Sequence, residues 1–238
     1  TMGYLLQNGG LGMAGDWIIT GGRPLQGRVE VPAAKNSVLP LLAASLLCSG
    51  PVRLQNVPRL TDVEDCLALL RGVGCTAGWQ GAELAVQGQP MRTDLAPEAA
   101  GRMRASILFC APLLARLGRV STVLPGGCRI GARPIDLHLQ GLAQMGVRQL
   151  PGQLTLYAPA GLRGAEICLS FPSVGATETL LLAAATAQGQ TVLHGAAKEP
   201  EIADLAAFLN ACGGCVEGAG TDTIRVQGRR CLAGCTFM

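Results

Sequence analysis

The sequence has few aromatic residues, few lysines and no long apolar run, and each shortage excludes a class of protein. Phe, Trp and Tyr make up 3% of the 238 residues although 49% are hydrophobic, so the core must be built from Leu, Ala and Val. Lys35 and Lys198 are the only lysines, and the formal net charge is +3. A charge this small does not indicate a nucleic-acid or membrane-surface partner, but it is compatible with an anionic small molecule.

The sequence also shows neither the pattern of a secretion signal nor that of a membrane-spanning segment. The first residues, TMGYLLQNGGLGMAGDW, lack the basic start and continuous apolar stretch of a secretion signal. The most apolar stretch, SVLPLLAASLLCSG, contains Pro40 and is shorter than the roughly 18 to 20 residues that span a bilayer. We therefore expect a cytoplasmic protein without a membrane partner.

The ten cysteines are expected to remain reduced thiols in that compartment. Two spacings, CGGC (Cys212, Cys215) and CLAGC (Cys231, Cys235), resemble those of zinc ligands. The first pair falls at a predicted helix end, and the second lies close to residue 238. We therefore predict no metal site and no cofactor, and a metal assay on the purified protein tests this.

Three segments share one layout at a spacing of roughly 70 residues, which indicates an internal repeat. Each has an apolar helix, a Gly-bounded strand, an amphipathic helix with an acidic first turn, and two short alternating strands. The apolar helices are predicted in SVLPLLAASLL, ASILFCAPLLARL and GATETLLLAAATA. Because helices without a polar face must be buried on every side, the three belong at the centre. The predicted fold is α+β (α/β), with three β-α-β-α-β-β units forming an inside-out barrel around central helices.

A cysteine among glycines indicates a shaped loop in LPGGCRIGARPID, residues 124–136. Gly126, Gly127 and Gly131 allow backbone conformations that residues with a Cβ avoid, and the flanking prolines stiffen the segment. In such a loop Cys128 is expected to be reachable by solvent and ligand. The competing interpretation is a connection with an incidental cysteine, since most cysteines are small buried hydrophobic residues.

Five separated motifs occur in an order that resembles the enolpyruvyl transferase family. They are AAKN at 33–36, MRAS at 103–106, PGGCRIGARPIDLH at 125–138, FPSVGATE at 171–178 and EPEIADLA at 199–206. The resemblance covers about residues 16–235 and is strongest to members that act on UDP-N-acetylglucosamine. It implies two inside-out domains of three units each, with the active site in the cleft between them. The 238 residues supply only three units.

This resemblance divides the chain into four parts. Residues 1–15 are an N-terminal extension, 16–33 are opening strands of the family's second domain, 34–228 are a complete domain, and 229–238 begin a return to the second domain. We therefore expect a partner, either the missing second domain or another copy of the chain. Without one, the strands around WIITGGRPLQGRVEV would present unpaired edges.

The resemblance implies transfer of the enolpyruvyl group of phosphoenolpyruvate to the sugar 3-hydroxyl with release of phosphate, the first committed step of peptidoglycan synthesis. Addition requires a proton donor at the methylene carbon and cations around the phosphate and carboxylate. Cys128 matches the family's acid, which also forms an adduct with phosphoenolpyruvate and is the target of fosfomycin. Arg129 and Arg133 would favour the thiolate, unless bound substrate anions neutralise them.

Other residues match family positions that contact the two substrates. Matches to the phosphoenolpyruvate site are Lys35, Asn36 and Arg133, of which Asn36 and Arg133 also reach the sugar nucleotide. Further matches to the sugar-nucleotide site are Arg104, Pro134, Ile135, Asp136, Leu137, Phe171, Pro172, Ser173 and Val174. Some relatives have lysine at the position of Phe171. Structural roles compete with three of these functions: a solvated helix-end charge for Lys35, and helix-start roles for Asn36 and Asp136.

Other functions stay open at this point. A noncatalytic UDP-sugar-binding module, or a half-enzyme that needs a partner chain, would bind the sugar nucleotide without turnover, and we expect negligible turnover from this chain alone. The sister synthase acting on shikimate phosphate shares the architecture but lacks the PGGC loop in this form. A Cys-His hydrolase would pair Cys128 with His138 or His194, although His138 lies in a predicted helix and His194 ends a predicted strand.

Overall fold

The computed structural model of the chain describes residues 21, 22, 24, 26–29, 31, 33–126, 134–152 and 154–238. Contacts divide the chain into two units, residues 1–31 and residues 32–238. The described residues of the first unit form no helix or strand, so every element below belongs to the second unit. No helix in the described part of the chain has both the length and the apolar character needed to cross a membrane.

The second unit repeats the order helix, strand, helix, strand, strand three times, as the sequence predicts. Among the described residues, the second repeat has an additional short helix at its start, and the predicted leading strand precedes the helix only in the third repeat. The first repeat contains α1 (Lys35–Ala44), β1 (Val52–Leu54), α2 (Thr61–Gly72), β2 (Thr76–Gln80) and β3 (Glu83–Gln87). The second contains α3 (Pro97–Arg102), α4 (Cys110–Leu117), β4 (Arg119–Thr122), α5 (Asp136–Gln144), β5 (Arg148–Leu150) and β6 (Leu154–Tyr157). The third contains β7 (Glu166–Cys168), α6 (Val174–Ala184), β8 (Gln190–His194), α7 (Pro200–Ala211), β9 (Val216–Glu217) and β10 (Thr223–Gln227), and β11 (Thr236–Phe237) follows it.

The apolar helices are buried, because they have no polar face to expose to water. In α1 every residue from Val38 to Ala44 is buried, and in α6 the same holds from Ala176 to Ala184. Both helices contact the apolar segment of the second repeat, residues 104–117, and α1 also contacts α2 and α7. The hydroxyl of Ser37 donates to Asp204 of α7 over 2.5 Å, which fixes the start of α1 against its neighbour.

The second apolar segment differs from the prediction of one continuous α-helix. It consists of a 3-10 helix, Arg104–Phe109, followed by α4. Pro112 lies near the start of α4 and has no N–H to donate to the carbonyl of Leu108, so one α-helical hydrogen bond is missing at this junction. The tighter 3-10 turns bring Arg104 to the beginning of the buried segment.

Three separate sheets accompany the helices, with strand orders β11-β1-β3-β2, β4-β6-β5 and β7-β8-β10-β9. In the third sheet β7 pairs parallel with β8, and in the second an isolated parallel bridge joins Asp94 to Ser121 of β4. In the first sheet the equivalent parallel partner is β11, so residues 236–237 supply the strand that sequence order would have placed before α1.

These sheets do not close on one another among the described residues, so the predicted inside-out barrel is not confirmed. The observed fold is a mixed α/β arrangement with buried helices and three separate sheets. One contact sets the position of α5 against α6: a Cβ added at Gly141 would lie 2.5 Å from Leu180 Cδ2. Only glycine permits this approach, which brings His138 of α5 beside the start of α6.

Candidate substrate site

A cavity of about 250 Å³ lies where the first turns of several helices meet. Its walls come from α1, the 3-10 helix Arg104–Phe109, α5 and α6. Asn36, Arg104 and Val174 line it and stand at the beginnings of the three buried helical segments, one from each repeat. Because a helix N-terminus presents unpaired N–H groups and partial positive charge, this geometry favours an anionic ligand.

Asn36 occupies the second position of α1, and its side chain turns toward α7. Its Nδ2 donates to Glu201 Oε1 over 3.4 Å. No side-chain cap closes the start of α1, so the competing N-cap interpretation of Asn36 is wrong. Pro40, which also lines the cavity, has no N–H for the Asn36 carbonyl. The Asn36 carbonyl therefore lacks the usual helical donor four residues later.

Arg104 connects the cavity with the segment that precedes α5. Its Nη2 donates to the carbonyl oxygen of Pro134 over 3.1 Å. Arg104 is half-buried, and its charge contributes to the lowered pKa of His138. A guanidinium can donate hydrogen bonds to phosphate oxygens, and each such charge-assisted bond is worth about 1.5–3 kcal/mol.

The predicted residues around the start of α5 divide between surface and core. Asp136 is exposed and begins the helix, where an acid interacts favourably with the helix dipole. Pro134 is exposed, Ile135 packs against the core and Leu137 is 7% exposed. Among these four residues, Pro134 accepts the hydrogen bond from Arg104 through its backbone carbonyl oxygen.

The predicted segment before α6 has one clear structural role. Ser173 is the N-cap of α6, and its Oγ accepts a hydrogen bond from the Ala176 amide over 3.4 Å. Val174 follows and lines the cavity, whereas Phe171 is 59% exposed and Pro172 is also exposed. Phe171 and Pro172 do not line the cavity.

Lys35 lies at the start of α1, but its ammonium is engaged elsewhere. Nζ lies 3.0 Å from Asp62 Oδ2 in the first turn of α2, with both side chains partly exposed. The lysine does not line the cavity that contains Asn36. An arriving anion would therefore compete with Asp62 for the same ammonium.

Two buried titratable residues of this cavity, His138 and Glu178, were not predicted as part of a sugar-nucleotide site. Burial and the nearby Arg104 lower the pKa of His138 to about 4, and Nδ1 lies 2.8 Å from Thr179 Oγ1. Burial raises the pKa of Glu178 to about 8, and the charges of Glu201 and Glu199 add to the effect. The sequence feature that could have indicated Glu178 is the presence of a carboxylate in an otherwise apolar helix, three residues after Gly175.

Cys128 and Arg133 lie outside the described residues, so their predicted roles stay predictions. The described residues on either side are Gly126 and Pro134. Gly126 is required by close packing, because a Cβ there would overlap the carbonyl oxygen of Gly101 in α3.

The cysteine pairs suggested by spacing are not the pairs that meet. The sulfur of Cys212 lies 3.2 Å from that of Cys235, so a residue of CGGC contacts a residue of CLAGC. In the part of the chain that the structure describes, no group of three or more His, Cys, Asp or Glu side chains could hold a metal ion.

Comparison with known proteins identifies the family. A family model described as EPSP synthase (3-phosphoshikimate 1-carboxyvinyltransferase) matches residues 19–238. The chain belongs to the EPSP synthase family. The resemblance to enolpyruvyl transferases predicted from the five motifs is thereby confirmed.

Curated relatives within this EPSP synthase family carry a different substrate in their name. The UDP-N-acetylglucosamine 1-carboxyvinyltransferase of Nitratidesulfovibrio vulgaris strain Hildenborough is 47% identical over 221 residues, which are 92% of this chain and 53% of the relative. The protein of the same name from Lawsonia intracellularis is 47% identical over 223 residues, with the same two shares. The chain therefore spans about half the length of the curated relatives it matches.

Solved structures show the EPSP synthase-like fold. The enolpyruvyl transferase NikO from Streptomyces tendae matches with a TM-score of 0.77 at 25% identity, covering 92% of this chain and 52% of NikO. The EPSP synthase of Acinetobacter baumannii matches with a TM-score of 0.71 at 20% identity, covering 89% of this chain and 49% of that protein.

Proposed function

We propose that this chain supplies the sugar-nucleotide-binding half of an enolpyruvyl transferase that acts on UDP-N-acetylglucosamine and phosphoenolpyruvate. The supporting observation is the cavity that joins Asn36, Arg104 and Val174, in a chain 47% identical to relatives named for that reaction. The product would enter peptidoglycan synthesis.

The diphosphate of the sugar nucleotide would bind at the helix starts around the cavity. The N–H groups at the beginning of α6 and the guanidinium of Arg104 are donors that match phosphate oxygens. The Asn36 amide is suited to the sugar, whose hydroxyl and acetamido groups both donate and accept hydrogen bonds. These contacts would fix the sugar while its 3-hydroxyl is presented for reaction.

Phosphoenolpyruvate would be held by Lys35 and Arg133, whose charges match its phosphate and carboxylate. Cys128 would donate its proton to the methylene carbon while the sugar 3-hydroxyl oxygen bonds to the neighbouring carbon and loses its own proton. Loss of a proton from the resulting methyl group would then re-form the double bond as phosphate leaves. Substrate anions that neutralise Arg129 and Arg133 would keep the Cys128 thiol protonated.

The architecture of the whole enzyme is part of the proposal. Residues 34–228 would form one inside-out domain, while 16–33 and 229–238 would lead to a second domain that completes the cleft. The pairing of β11 with β1 ties residues 236–237 to the first sheet, so any continuation toward another domain would start from that edge. The missing half would come from further sequence, a partner chain or a second copy.

The shikimate phosphate reaction is the alternative that the family description names. The UDP-N-acetylglucosamine reaction is favoured because curated relatives at 44–47% identity all carry that name. The PGGC motif at 125–128 supports the same choice.

Calorimetric titration of the purified chain with UDP-N-acetylglucosamine and, separately, with shikimate 3-phosphate tests the proposal. We expect saturable one-to-one binding of the sugar nucleotide alone. Arg104→Ala should weaken it at least tenfold, whereas Arg225→Ala, which alters an exposed arginine of β10, should not change it. Preference for shikimate 3-phosphate, or equal effects of the two substitutions, would contradict the proposal.

A phosphate-release assay with both substrates addresses turnover. We expect negligible phosphate release from the 238 residues alone, because the proposed site lacks the second domain. Phosphate release at a rate comparable with a full-length relative would show that the chain is a complete catalyst and would overturn this part of the proposal.

A further inference from the structure

Glu178 is a buried carboxyl group that the proposed mechanism does not use. It lies one turn after Val174 on α6, is 6% exposed and lines the cavity. No hydrogen bond joins its carboxyl group to another residue in the described parts of the chain. A polar group that is buried without a partner costs free energy, so it is a position where a ligand can supply the missing hydrogen bond.

The surroundings of Glu178 favour its neutral form. The residues that act on its charge, besides burial itself, are acidic: Glu201 and Glu199 at the start of α7. Glu201 accepts from Asn36, and Asn36 and Glu178 line the same cavity. With its pKa raised to about 8, the carboxyl group keeps its proton at neutral pH and can donate a hydrogen bond.

The elements around the cavity carry four further charged or titratable groups: Arg104, His138, Asp136 and Lys35. Arg104 on the 3-10 helix is the cationic residue among those that line the cavity, and the pKa of His138 on α5 is lowered to about 4, so that the imidazole is neutral. Asp136 at the start of α5 is exposed, and Lys35 of α1 pairs with Asp62.

We propose that Glu178, as a neutral carboxylic acid, donates a hydrogen bond to an oxygen of the bound sugar nucleotide and so contributes to its recognition. This inference rests on the proposed function and adds a ligand-contacting residue to it. A ligand that fills the cavity excludes water from Glu178, so the buried O–H requires an acceptor from the ligand. Sugar hydroxyl and acetamido oxygens are neutral acceptors of the required kind.

Ionisation of Glu178 would weaken binding for two reasons. The carboxylate would lose the proton that it donates, and it would place a negative charge near the diphosphate of the ligand. If only the neutral form binds, the apparent dissociation constant is inversely proportional to the neutral fraction of Glu178. It therefore rises about thirtyfold at about 1.5 pH units above the pKa. The affinity of the chain for sugar nucleotide should therefore fall in mildly alkaline solution.

The test is calorimetric titration of UDP-N-acetylglucosamine into the wild-type chain, Glu178→Gln and Glu217→Gln at pH 6.5 and 9.5. Glu178→Gln retains a donor that cannot ionise, and Glu217→Gln is a matched control on an exposed residue of β9. We expect wild type and Glu217→Gln to lose about thirtyfold in affinity between the two pH values, and Glu178→Gln to lose less than threefold. Glu178→Leu, which has no donor, should bind at least fivefold more weakly than wild type at pH 6.5.

The outcomes separate this inference from the proposed function. Equal pH dependence in wild type and Glu178→Gln, with binding otherwise intact, would overturn the role of Glu178 and leave the proposed function standing. Absence of sugar-nucleotide binding by the wild-type chain at both pH values would overturn the proposed function and this inference with it. Far-ultraviolet circular dichroism of each variant establishes that a loss of affinity is not a loss of fold.

Discussion

The ammonium of Lys35 lies 3.0 Å from Asp62 Oδ2 and thereby joins the first turns of α1 and α2. The two side chains are 48% and 34% exposed, so water screens the pair and it contributes little to stability, about 0–1 kcal/mol. The pair matters more as a competitor, because an anion that binds Lys35 must displace Asp62.

Removing the competitor should strengthen phosphoenolpyruvate binding. Asp62→Asn leaves the ammonium without its carboxylate partner, and we expect about two- to fivefold tighter binding, the range set by an exposed ion pair. Lys35→Ala should weaken the same binding at least tenfold. The measurement is titration of phosphoenolpyruvate into the chain saturated with UDP-N-acetylglucosamine.

Lys198, the only other lysine, provides the matched control for Lys35. It is exposed, and Lys198→Ala should leave phosphoenolpyruvate affinity unchanged. Weaker binding by Asp62→Asn would show that the carboxylate positions the lysine for the ligand, contrary to the competition described here.

Glu178 should also make stability depend on pH in the absence of ligand. Its pKa is about 8 in the folded chain against an ordinary value of 4.5, so folding takes up a proton between these pH values. Well below pH 4.5 the residue is protonated in both states, so its ionisation does not change the free energy of unfolding there. As pH rises toward 8, the unfolded state ionises first and wild type loses up to about 1.4 kcal/mol per pH unit relative to a neutral replacement.

Urea unfolding of wild type and Glu178→Gln at pH 4, 6 and 8 checks this sign. The two free energies of unfolding should differ least at pH 4, and the advantage of Glu178→Gln should grow at pH 6 and again at pH 8. A difference that stays constant with pH would mean that Glu178 titrates normally in the folded chain.

Gly141 should be intolerant of alanine although it lies inside a helix. Alanine is ordinarily the better helix former by about 1 kcal/mol, but a Cβ at this position would lie 2.5 Å from Leu180 Cδ2, and Leu180, which is 1% exposed, would have to repack within the core. We expect Gly141→Ala to lower the free energy of unfolding by about 1–3 kcal/mol, the usual cost of overpacking.

Gly72, the last residue of α2, is the comparison for Gly141. Its added Cβ would meet only Ala96 Cβ at 3.9 Å, which is ordinary contact. Gly72→Ala should therefore be neutral or stabilising by up to about 1 kcal/mol. Urea unfolding of both variants decides the point, and equal effects would show that α5 and α6 do not pack as closely as described.

Oxidation should join Cys212 to Cys235 within the chain. Diamide takes two protons and two electrons from the thiols as the sulfur–sulfur bond forms. A hydrogen bond with Cys48 and burial raise the pKa of Cys212, and burial together with Cys212 raises that of Cys235 to about 12, so the reaction should be slow at pH 7 and faster at alkaline pH.

Peptide mapping under non-reducing conditions identifies the product. Cys235→Ser should abolish the intramolecular link, and Cys215→Ser should not. A disulfide between Cys212 and Cys215 would contradict the observed contact and restore the pairing that the spacing alone suggests.

Local sequence predicts the elements well but not all of their partners. The apolar composition of GATETLLLAAATA is sufficient to predict a buried helix, and the observed α6 confirms it. The parallel pairing of β11 with β1 joins segments at opposite ends of the second unit, and no local pattern encodes so distant a contact. The apolar pattern of the second segment does not distinguish its 3-10 turns from the α-helix that follows them.

The candidate site likewise combines residues that the sequence indicated with one that depends on distant contacts. The motif resemblance identified Asn36, Arg104 and Val174, and the fold brings these three residues of different repeats to one cavity. Glu178 was not identified, because its pKa depends on burial in α6 and on acidic residues of another helix. A tertiary environment of this kind cannot be read from the residues beside it in sequence.

The central claim is that the cavity at the helix starts binds the sugar nucleotide. Hydrogen–deuterium exchange of the chain with and without saturating UDP-N-acetylglucosamine tests it most directly, because exchange reports which backbone amides the ligand protects. We expect slower exchange in peptides that contain residues 36–40, 104–109 and 174–178, and unchanged exchange in β2 and β3. Unchanged exchange in those three segments under saturating ligand, or protection confined to other parts of the chain, would contradict it.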